Sequence, residues 1–269
     1  MAILVTGARG FVGARIMEAI PEAVAAPSLR DCTREDIFRL VEAIQPAAII
    51  HTAAISDIGE CEKDPDSSLR ANVLLPLHLA QAGGGIPMAF FSTDQVYTGL
   101  PGDQPFREDT VKGANTYARH KLEMENRILD AAPQAVMLRA SWMYDLPLYG
   151  VKNRGNFLML MLQAAAKGRP IQFSAQAMRG ITWVRQVAEN VKSALSLPGG
   201  VYNFGSGADG SMYDLALLLK QKMQLQVDLR PGEGGENLWM DQEKLNGAGI
   251  QFSNNSDGLL ACLGCYSLI

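Results

Sequence analysis

A tyrosine and a lysine stand four residues apart in the stretch YARHK, as Tyr117 and Lys121. If this stretch is helical, the two side chains lie on one face, because residues i and i+4 are one turn apart. A free tyrosine has a pKa of about 10, and a neighbouring ammonium group favours the phenolate and lowers that pKa. The tyrosine can then act as an acid and a base. The spacing alone fits any exposed turn of a helix equally well.

The glycines of the stretch TGARGFVG follow an apolar segment at the N-terminus. Gly7, Gly10 and Gly13 are spaced three apart across a predicted strand-to-helix turn, where they allow a tight turn, close approach of a pyrophosphate and close helix packing. The first turn of the helix supplies free amides and a favourable dipole for phosphates. The sequence therefore predicts a dinucleotide-binding turn, and a glycine turn without a ligand is the alternative.

The segment after the predicted second strand lacks the acidic residue that usually binds a ribose hydroxyl. It reads AAPSLR and offers Ser28 and Arg30, while Arg9 adds positive charge inside the glycine turn. An anionic 2'-phosphate suits these residues better than it would suit an acidic residue. The sequence therefore favours NADP over NAD as the cofactor, unless the two arginines simply face solvent.

Strands and helices alternate through most of the first 145 residues. Strands are predicted at residues 2–6, 23–26, 47–51, 88–92 and 135–140, and helices at residues 11–20, 33–44, 67–82 and 117–131. Such alternation predicts an α/β fold of the Rossmann type, in which a doubly wound parallel sheet has helices on both faces. Residues 1–145 would form the dinucleotide-binding core. Residues 146–269 would form mainly a small substrate-binding cap, with some later segments returning to the core.

The composition, with 48% hydrophobic and 19% charged residues, is that of a globular protein. The formal net charge is −4 and the 24 basic residues are scattered, so we expect no nucleic-acid partner. No apolar run reaches the roughly 18–20 residues of a membrane span, and the N-terminus has no basic leader. We therefore expect a soluble, cytoplasmic protein without a membrane partner. Cys262 and Cys265 form a CxxC, but no second pair completes a metal site, so no metal is predicted.

Several longer stretches occur in a fixed order along the chain. IIHTAA follows the third predicted strand, FFSTDQVYTG follows the fourth, and CEKDP, LRASWMY, GNFLMLML and NLWMDQEKL occupy further positions. Together with the glycine turn and YARHK, this order resembles the extended short-chain dehydrogenase/reductase family over nearly the whole chain. Within that family the chain is similar to the dTDP-4-dehydrorhamnose reductase branch, which also contains the non-catalytic regulatory β subunit of methionine adenosyltransferase.

The resemblance implies a reductase that uses NAD(P)H on a carbonyl, with the 4-keto group of a nucleotide-activated deoxysugar as the small-molecule substrate. Catalysis would fall to Thr93, Tyr117 and Lys121, with Thr93 24 residues before Tyr117 and Ser92 as the alternative hydroxyl. At the cofactor, the resemblance implies that Gly7, Gly10, Phe11 and Val12 contact the pyrophosphate. Asp31 and Cys32 would contact the adenine, and Ala53 and Ala54 would contact the nicotinamide. Tyr117 and Lys121 would also contact the cofactor. Asp94 and Trp142 match positions that line the substrate pocket.

Arg179 stands before a predicted helix, where many extended members of the family place an arginine on a nucleotide diphosphate. A guanidinium suits that task because it binds phosphate with two parallel hydrogen bonds. The branch usually shows Gly-Ser-Pro-Thr here, whereas this chain has Arg179-Gly180-Ile181-Thr182. A solvent-facing arginine is therefore the alternative, and the substrate could be another activated sugar or a non-sugar ketone. Dimers are common in the family, so a homodimer is also open.

Rival functions share much of this pattern. A sugar-nucleotide dehydratase is disfavoured, because Gln95 stands where a second carboxylate would serve elimination. An epimerase shares the same tyrosine and lysine. A non-catalytic, NADP-binding regulatory subunit would have the same fold, although it would not need intact Thr93, Tyr117 and Lys121.

Overall fold

The computed structural model describes residues 2–151 and 155–269. Its strands are β1 (Ile3–Thr6), β2 (Ala23–Ala25), β3 (Ala48–His51), β4 (Met88–Thr93), β5 (Val136–Ala140), β6 (Trp142–Tyr144), β7 (Ile171–Ser174), β8 (Ile181–Trp183), β9 (Gly200–Phe204) and β10 (Leu229–Gly232). Its α-helices are α1 (Phe11–Ala19), α2 (Arg34–Ile44), α3 (Ile58–Lys63), α4 (Pro65–Leu69), α5 (Leu75–Gly83), α6 (Thr116–Ala131), α7 (Phe157–Lys167), α8 (Val184–Ala194), α9 (Met212–Lys222), α10 (Glu243–Gly247) and α11 (Asn255–Cys265). Among these described residues, no helix combines the length and apolar character needed to cross a membrane.

A six-stranded parallel sheet lies at the centre of the protein, with the strand order β2-β1-β3-β4-β5-β9. The chain passes from β1 outward to β2 and then crosses to β3 on the other side of β1, so the strand order reverses between β1 and β3. Open α/β sheets bind ligands at such a point, outside the carboxyl ends of the strands. The sheet confirms the doubly wound Rossmann-type fold predicted from the sequence.

Helices cover both faces of this sheet. Along β1, Ile3 and Val5 pack on one face with residues of α1 and α8, whereas Leu4 packs on the other face with residues of α2, α5 and α6. Every residue of β4 is buried. Continuous burial of this kind is typical of a parallel strand that is covered on both faces, so a ligand can reach such a strand only at its ends.

A smaller layer contains two two-stranded parallel sheets, β6–β8 and β7–β10, packed with α7, α9 and α11. Its apolar core includes Tyr144 and Phe157, whose ring centroids are 6.4 Å apart. Not all of the chain beyond residue 145 lies in this layer, because β9 pairs with β5 and α8 packs on the main sheet. The domain boundary at residue 145 stays a prediction.

The single helix predicted over residues 67–82 is divided into α4, a π turn (Arg70–Leu74) and α5. Within the π turn, the buried Asn72 side chain accepts a hydrogen bond from Ile55 N at 3.1 Å and donates one to Ile55 O at 2.9 Å. Both backbone groups of Ile55 are thereby satisfied away from water. The π turn thus fixes the loop that follows β3, and π turns are frequent at functional sites.

Candidate active site

A cleft of about 580 Å³ opens at the carboxyl ends of β1, β3, β4 and β5. It runs from the glycine turn past the predicted proton donor to the first strand of the smaller layer. Its lining includes Gly10, Phe11, Val12, Ala54, Thr93, Asp94, Tyr117, Lys121, Trp142 and Arg179, all of which the sequence analysis names as site residues. The topological switch point and the predicted residues therefore coincide.

The glycine turn is packed too closely to admit side chains. Gly7 has a φ of +69°, and a Cβ added at Gly13 would lie 2.2 Å from the Gly7 carbonyl oxygen. Gly10 precedes α1 and provides no side-chain cap, so the free amides at the start of this helix remain available to a ligand. Phe11 and Val12, at the start of the helix, line the cleft. This arrangement fits a pyrophosphate at the helix N-terminus.

The other predicted cofactor positions lie around this turn. Ala53 packs against Gly7, because a Cβ added at Gly7 would lie 2.7 Å from the Ala53 nitrogen, and its neighbour Ala54 lines the cleft. Arg9 and Asp31 are exposed, and Cys32 is half-buried with its thiol 3.6 Å from the Ser28 carbonyl oxygen. These last three residues lie outside the cleft lining, on the side where the adenosine half of a dinucleotide would extend.

Tyr117 and Lys121 lie on one buried face of α6, in the first two turns of the helix. The helix begins there because Asn115 caps it, accepting a hydrogen bond from Ala118 N at 2.8 Å. The Thr93 side chain acts on the Tyr117 hydroxyl, since it lowers the pKa of that phenol, and both residues line the cleft. Lys121 Nζ donates to the Phe91 carbonyl oxygen at 2.8 Å and lies 6.0 Å from the centroid of the Tyr117 ring. The structure thus brings the three predicted catalytic residues together.

Burial dominates the ionisation of this group. It raises the pKa of Tyr117 above its usual value, the charge of Asp94 raises it further, and the hydrogen bond from Thr93 acts in the opposite direction. Burial also lowers the pKa of Lys121 to about 8, against the opposing effect of the Glu125 charge. A neighbouring ammonium group is expected to lower the tyrosine pKa, but in this cleft the desolvation of the phenol dominates and raises it. The Tyr117 phenol is therefore protonated near neutral pH, as the role predicted for it requires.

Ser92 and Thr93 are distinguished by their partners. The Ser92 hydroxyl donates to Glu125 Oε1 at 2.5 Å, and Glu125 is buried against the guanidinium of Arg139. The Thr93 hydroxyl contacts Tyr117 and the backbone N–H of Gln95, which it accepts at 3.2 Å. Since the Ser92 hydroxyl is engaged on α6, Thr93 is the hydroxyl placed beside the proton donor.

Asp94, Trp142 and Arg179 form the far wall of the cleft. The Arg179 guanidinium donates two hydrogen bonds to Asp94 Oδ2, from Nε at 3.0 Å and from Nη2 at 2.8 Å. The same guanidinium carbon lies 5.3 Å from the centroid of the Trp142 ring. Arg179 therefore neither faces solvent freely nor stands free for an anion.

Residues 1–235 match the protein family described as the RmlD substrate binding domain. The chain belongs to this family. The membership covers most of the molecule, and it confirms the resemblance to the extended short-chain dehydrogenase/reductase family that the sequence motifs carry.

Relatives and solved structures of similar shape agree with this assignment. The chain is 26% identical to dTDP-4-dehydrorhamnose reductase of Aggregatibacter actinomycetemcomitans over 81% of this chain and 77% of the relative. It is 24% identical to the spore coat polysaccharide biosynthesis protein SpsK of Bacillus subtilis over 84% of this chain and 80% of the relative. The crystal structure of dTDP-4-dehydrorhamnose reductase from Bacillus anthracis in complex with NADP has a TM-score of 0.85 and 20% identity, covering 97% of this chain and 98% of that one.

The cleft of this RmlD-family protein also contains residues that the sequence reasoning missed. Thr52 and Ser141 directly follow β3 and β5, where the carboxyl ends of parallel strands place ligand-binding residues, so their positions were a usable signal. The other missed lining residues approach the cleft through long-range packing: Ser56, Asp57, Ile58, Met143, Gly155 and Asn156.

The two cysteines near the C-terminus lie apart from this site. Cys262 is buried within α11, and Cys265 is exposed, with its sulfur 3.0 Å from Arg185 Nη1. Across residues 2–151 and 155–269, no three His, Cys, Asp or Glu side chains are grouped so that they could hold a metal ion.

Proposed function

We propose that this protein is an NADPH-dependent reductase that acts on the 4-keto group of a nucleotide-activated deoxysugar, with dTDP-4-dehydrorhamnose as the first candidate. The observation that carries the proposal is the grouping of Thr93, Tyr117 and Lys121 in one cleft that starts at a glycine turn fit for a pyrophosphate. The reductases among the relatives, and the NADP bound to the Bacillus anthracis enzyme, support the same reaction and the same cofactor.

When bound, NADPH supplies the hydride for the carbonyl carbon. Tyr117 supplies the proton: its O–H bond breaks as a new O–H bond forms on the carbonyl oxygen, and a phenolate is left behind. Thr93 donates a hydrogen bond to the same carbonyl oxygen and so stabilises the charge that develops there. Lys121 stabilises the phenolate by its positive charge. The burial of Tyr117 and Lys121 strengthens these interactions because it excludes water from them.

The proposed cofactor contacts follow the glycine turn. Gly7, Gly10 and Gly13 would allow the pyrophosphate to approach, the start of α1 would bind it, and Ala53 and Ala54 would lie beside the nicotinamide. Asp31 and Cys32 would lie beside the adenine, and Arg9 would contact the 2'-phosphate. Asp94 and Trp142 would contact the sugar.

The test is to follow NADPH oxidation by the purified protein with dTDP-4-dehydrorhamnose and with a panel of dTDP, UDP and GDP keto-sugars. We expect turnover with at least one of them, and we expect Tyr117→Phe to abolish turnover while NADPH still binds. NADPH binding without turnover across a broad carbonyl panel would indicate a regulatory subunit instead. Interconversion of a sugar without net NADPH consumption would indicate an epimerase.

The remaining expectations about partners belong to the same proposal. A homodimer is tested by light scattering on the purified protein. The scattered basic residues and the net charge of −4 support the expectation that no nucleic acid is bound. A cytoplasmic location is tested by cell fractionation.

A further inference from the structure

The backbone around Arg179 is fixed by the fold. Asn255, which is buried, donates a hydrogen bond from Nδ2 to the Arg179 carbonyl oxygen at 2.8 Å and accepts one from Ile181 N at 2.8 Å. Gly180, between Arg179 and Ile181, lies so close to Ser206 that a Cβ added at Gly180 would be 1.9 Å from the Ser206 carbonyl oxygen. The start of the Arg179 side chain is therefore held in one place.

The side chain itself is bound at its far end. Both of its hydrogen bonds go to one oxygen of Asp94, and its planar group lies on the Trp142 ring, an arrangement that favours arginine over lysine. The Asp94 side chain is only 3% exposed and that of Arg179 is 22% exposed. A carboxylate buried to this extent is costly unless it is paired, and in this cleft its cation is Arg179.

Asp94 is also coupled to the proton donor. It follows Thr93 directly and accepts a hydrogen bond from the Thr93 hydroxyl at 3.4 Å, which is long and weak. In the part of the chain that the structure describes, Tyr117 is faced by Thr93 from β4, Asp94 from the turn after it, Cys61 from α3 and Lys121 from its own helix. Asp94 carries the negative charge among them, so its neutralisation matters when a phenolate forms.

We propose that Arg179 is a positioning residue for proton donation, which neutralises Asp94 while its own guanidinium lies on Trp142, and that it does not bind the diphosphate of the substrate. This inference rests on the proposed reductase function. Without the guanidinium, the full charge of Asp94 would oppose the phenolate that forms as Tyr117 gives up its proton, and the catalytic step would be slower. If Arg179 instead bound the diphosphate of the substrate, its replacement would weaken substrate binding whether or not Asp94 is charged.

A double-mutant cycle with Arg179→Met and Asp94→Asn separates the two roles. We expect Arg179→Met to lower kcat for keto-sugar reduction about tenfold, the effect of roughly one pKa unit on the proton donor. In the Asp94→Asn background, where no charge remains to be neutralised, we expect the same change to alter kcat by less than about threefold. Equal losses of kcat in both backgrounds, or an effect on KM alone, would overturn the inference.

The pH dependence of the reverse reaction is a second readout, because Tyr117 must then be the base. Arg179→Met should move the ascending limb of alcohol oxidation to higher pH, and adding Asp94→Asn should move it back. A merely structural loss would lower the rate without moving the limb, and that result would contradict the proposal.

The affinity for a nucleoside diphosphate tests, independently of turnover, whether Arg179 binds the diphosphate of the substrate. We expect Arg179→Met to leave the Kd of dTDP, measured by calorimetry, within about threefold of the wild-type value, whereas loss of a bidentate phosphate ligand would raise it more than about tenfold. If all variants bind NADPH but none reduces a keto-sugar, the proposed function fails. The pairing of Arg179 with Asp94 can then still be tested by the dTDP measurement and by urea denaturation. Effects of Arg179→Met and Asp94→Asn on the urea midpoint that do not add would support the pairing, and additive effects would overturn it.

Discussion

Glu62 and Thr116 are joined by two hydrogen bonds, in which the Glu62 carboxylate accepts from Thr116 N at 2.6 Å and from the Thr116 hydroxyl at 2.7 Å. Glu62 belongs to α3, whose first residue, Ile58, lines the cleft. Thr116 is the first residue of α6 and directly precedes Tyr117. The carboxylate therefore links one wall of the cleft to the helix that places the proton donor.

Replacing Glu62 with glutamine should loosen this link, because an amide has a single oxygen with which to accept both hydrogen bonds. We expect Glu62→Gln to lower kcat about tenfold through misplacement of Tyr117, with a smaller change in KM. The matched control is Glu42→Gln, which changes an exposed glutamate on α2. Steady-state kinetics of both variants test the expectation, and an equal effect of the two substitutions would contradict it.

The same bonds predict a pH-dependent stability. Hydrogen bonds from the backbone and then the hydroxyl of Thr116 lower the pKa of Glu62 below its usual value of 4.5. The stabilisation is therefore fully present above that pH and is lost as the pH falls through the lower folded-state pKa. The melting temperatures of wild type and Glu62→Gln should converge in acid, and a difference that stays constant with pH would rule this linkage out.

A buried ion pair fixes the middle of α6. Glu125 accepts hydrogen bonds from Arg139 Nε at 3.0 Å and Nη2 at 2.7 Å, and both side chains are almost fully buried. Despite burial, the hydrogen bonds and charge of Glu125 raise the pKa of Arg139. Glu125→Ala should cost about 3–5 kcal/mol of unfolding free energy, because it leaves a buried guanidinium without its counter-charge.

Glu123, on the same helix, provides the control for this prediction. It pairs with Arg127 at 2.6 Å, but both side chains are exposed. Such a pair contributes about 0.3–0.5 kcal/mol, so Glu123→Ala should have little effect. Urea denaturation measures both variants. Similar losses from the two substitutions would show that burial of the Glu125–Arg139 pair is not what makes it important.

Local rules were sufficient to predict the main elements and the meeting of Thr93, Tyr117 and Lys121 in one cleft. The alternation of apolar strands and amphipathic helices predicts the parallel sheet, and the spacing of Tyr117 and Lys121 places both on one face of α6. Thr93 could be located because it ends a strand whose carboxyl end opens to the cleft. Each of these inferences uses residues close together in sequence or the general geometry of α/β sheets.

Long-range pairings could not be predicted in the same way. Arg179 and Asp94 are 85 positions apart, so neither residue type nor spacing indicates that the arginine is bound to a carboxylate. The π turn depends on the hydrogen bonds of Asn72 to Ile55, 17 positions away. Strand β9 pairs with β5 although three strands and two helices, β6 to α8, intervene in sequence. These features follow from tertiary packing, which a single sequence does not display.

The pKa of Lys121 should set an upper pH limit on activity. Burial lowers its pKa to about 8, while the charges of Glu125 and then Cys61 act to raise it. Above that pH the amine loses its proton and no longer stabilises the phenolate of Tyr117, so kcat/KM for reduction should fall above about pH 8. A pH profile of initial rates over about two units on either side of that value measures this limb.

The effect of Glu125 on this limb can be tested separately. Glu125→Gln removes the charge that raises the Lys121 pKa, so the limb should move to lower pH, whereas Glu123→Gln on the exposed face should leave it in place. If the limb stays unchanged in Glu125→Gln, a group other than Lys121 is responsible for it.

Two exposed arginines, Arg9 and Arg30, are the residues that we propose to set the preference for NADPH. The guanidinium groups of Arg9 and Arg30 make no hydrogen bond or ion pair with the part of the chain that the structure describes, so both are available to a 2'-phosphate. A charge-assisted hydrogen bond to phosphate contributes about 1.5–3 kcal/mol. Replacing the arginine that makes this contact with alanine should therefore raise the Kd of NADPH about tenfold or more.

The matched comparison is with NADH, which lacks the 2'-phosphate. Its Kd should stay within about twofold in Arg9→Ala and Arg30→Ala, because neither side chain has another proposed contact. Arg39→Ala is the control, since Arg39 is an exposed arginine on α2 that lies 3.7 Å from Asp36. Fluorescence titrations with both nucleotides measure the ratio of the two affinities. If neither Arg9→Ala nor Arg30→Ala changes that ratio more than Arg39→Ala does, the preference for NADPH has another origin.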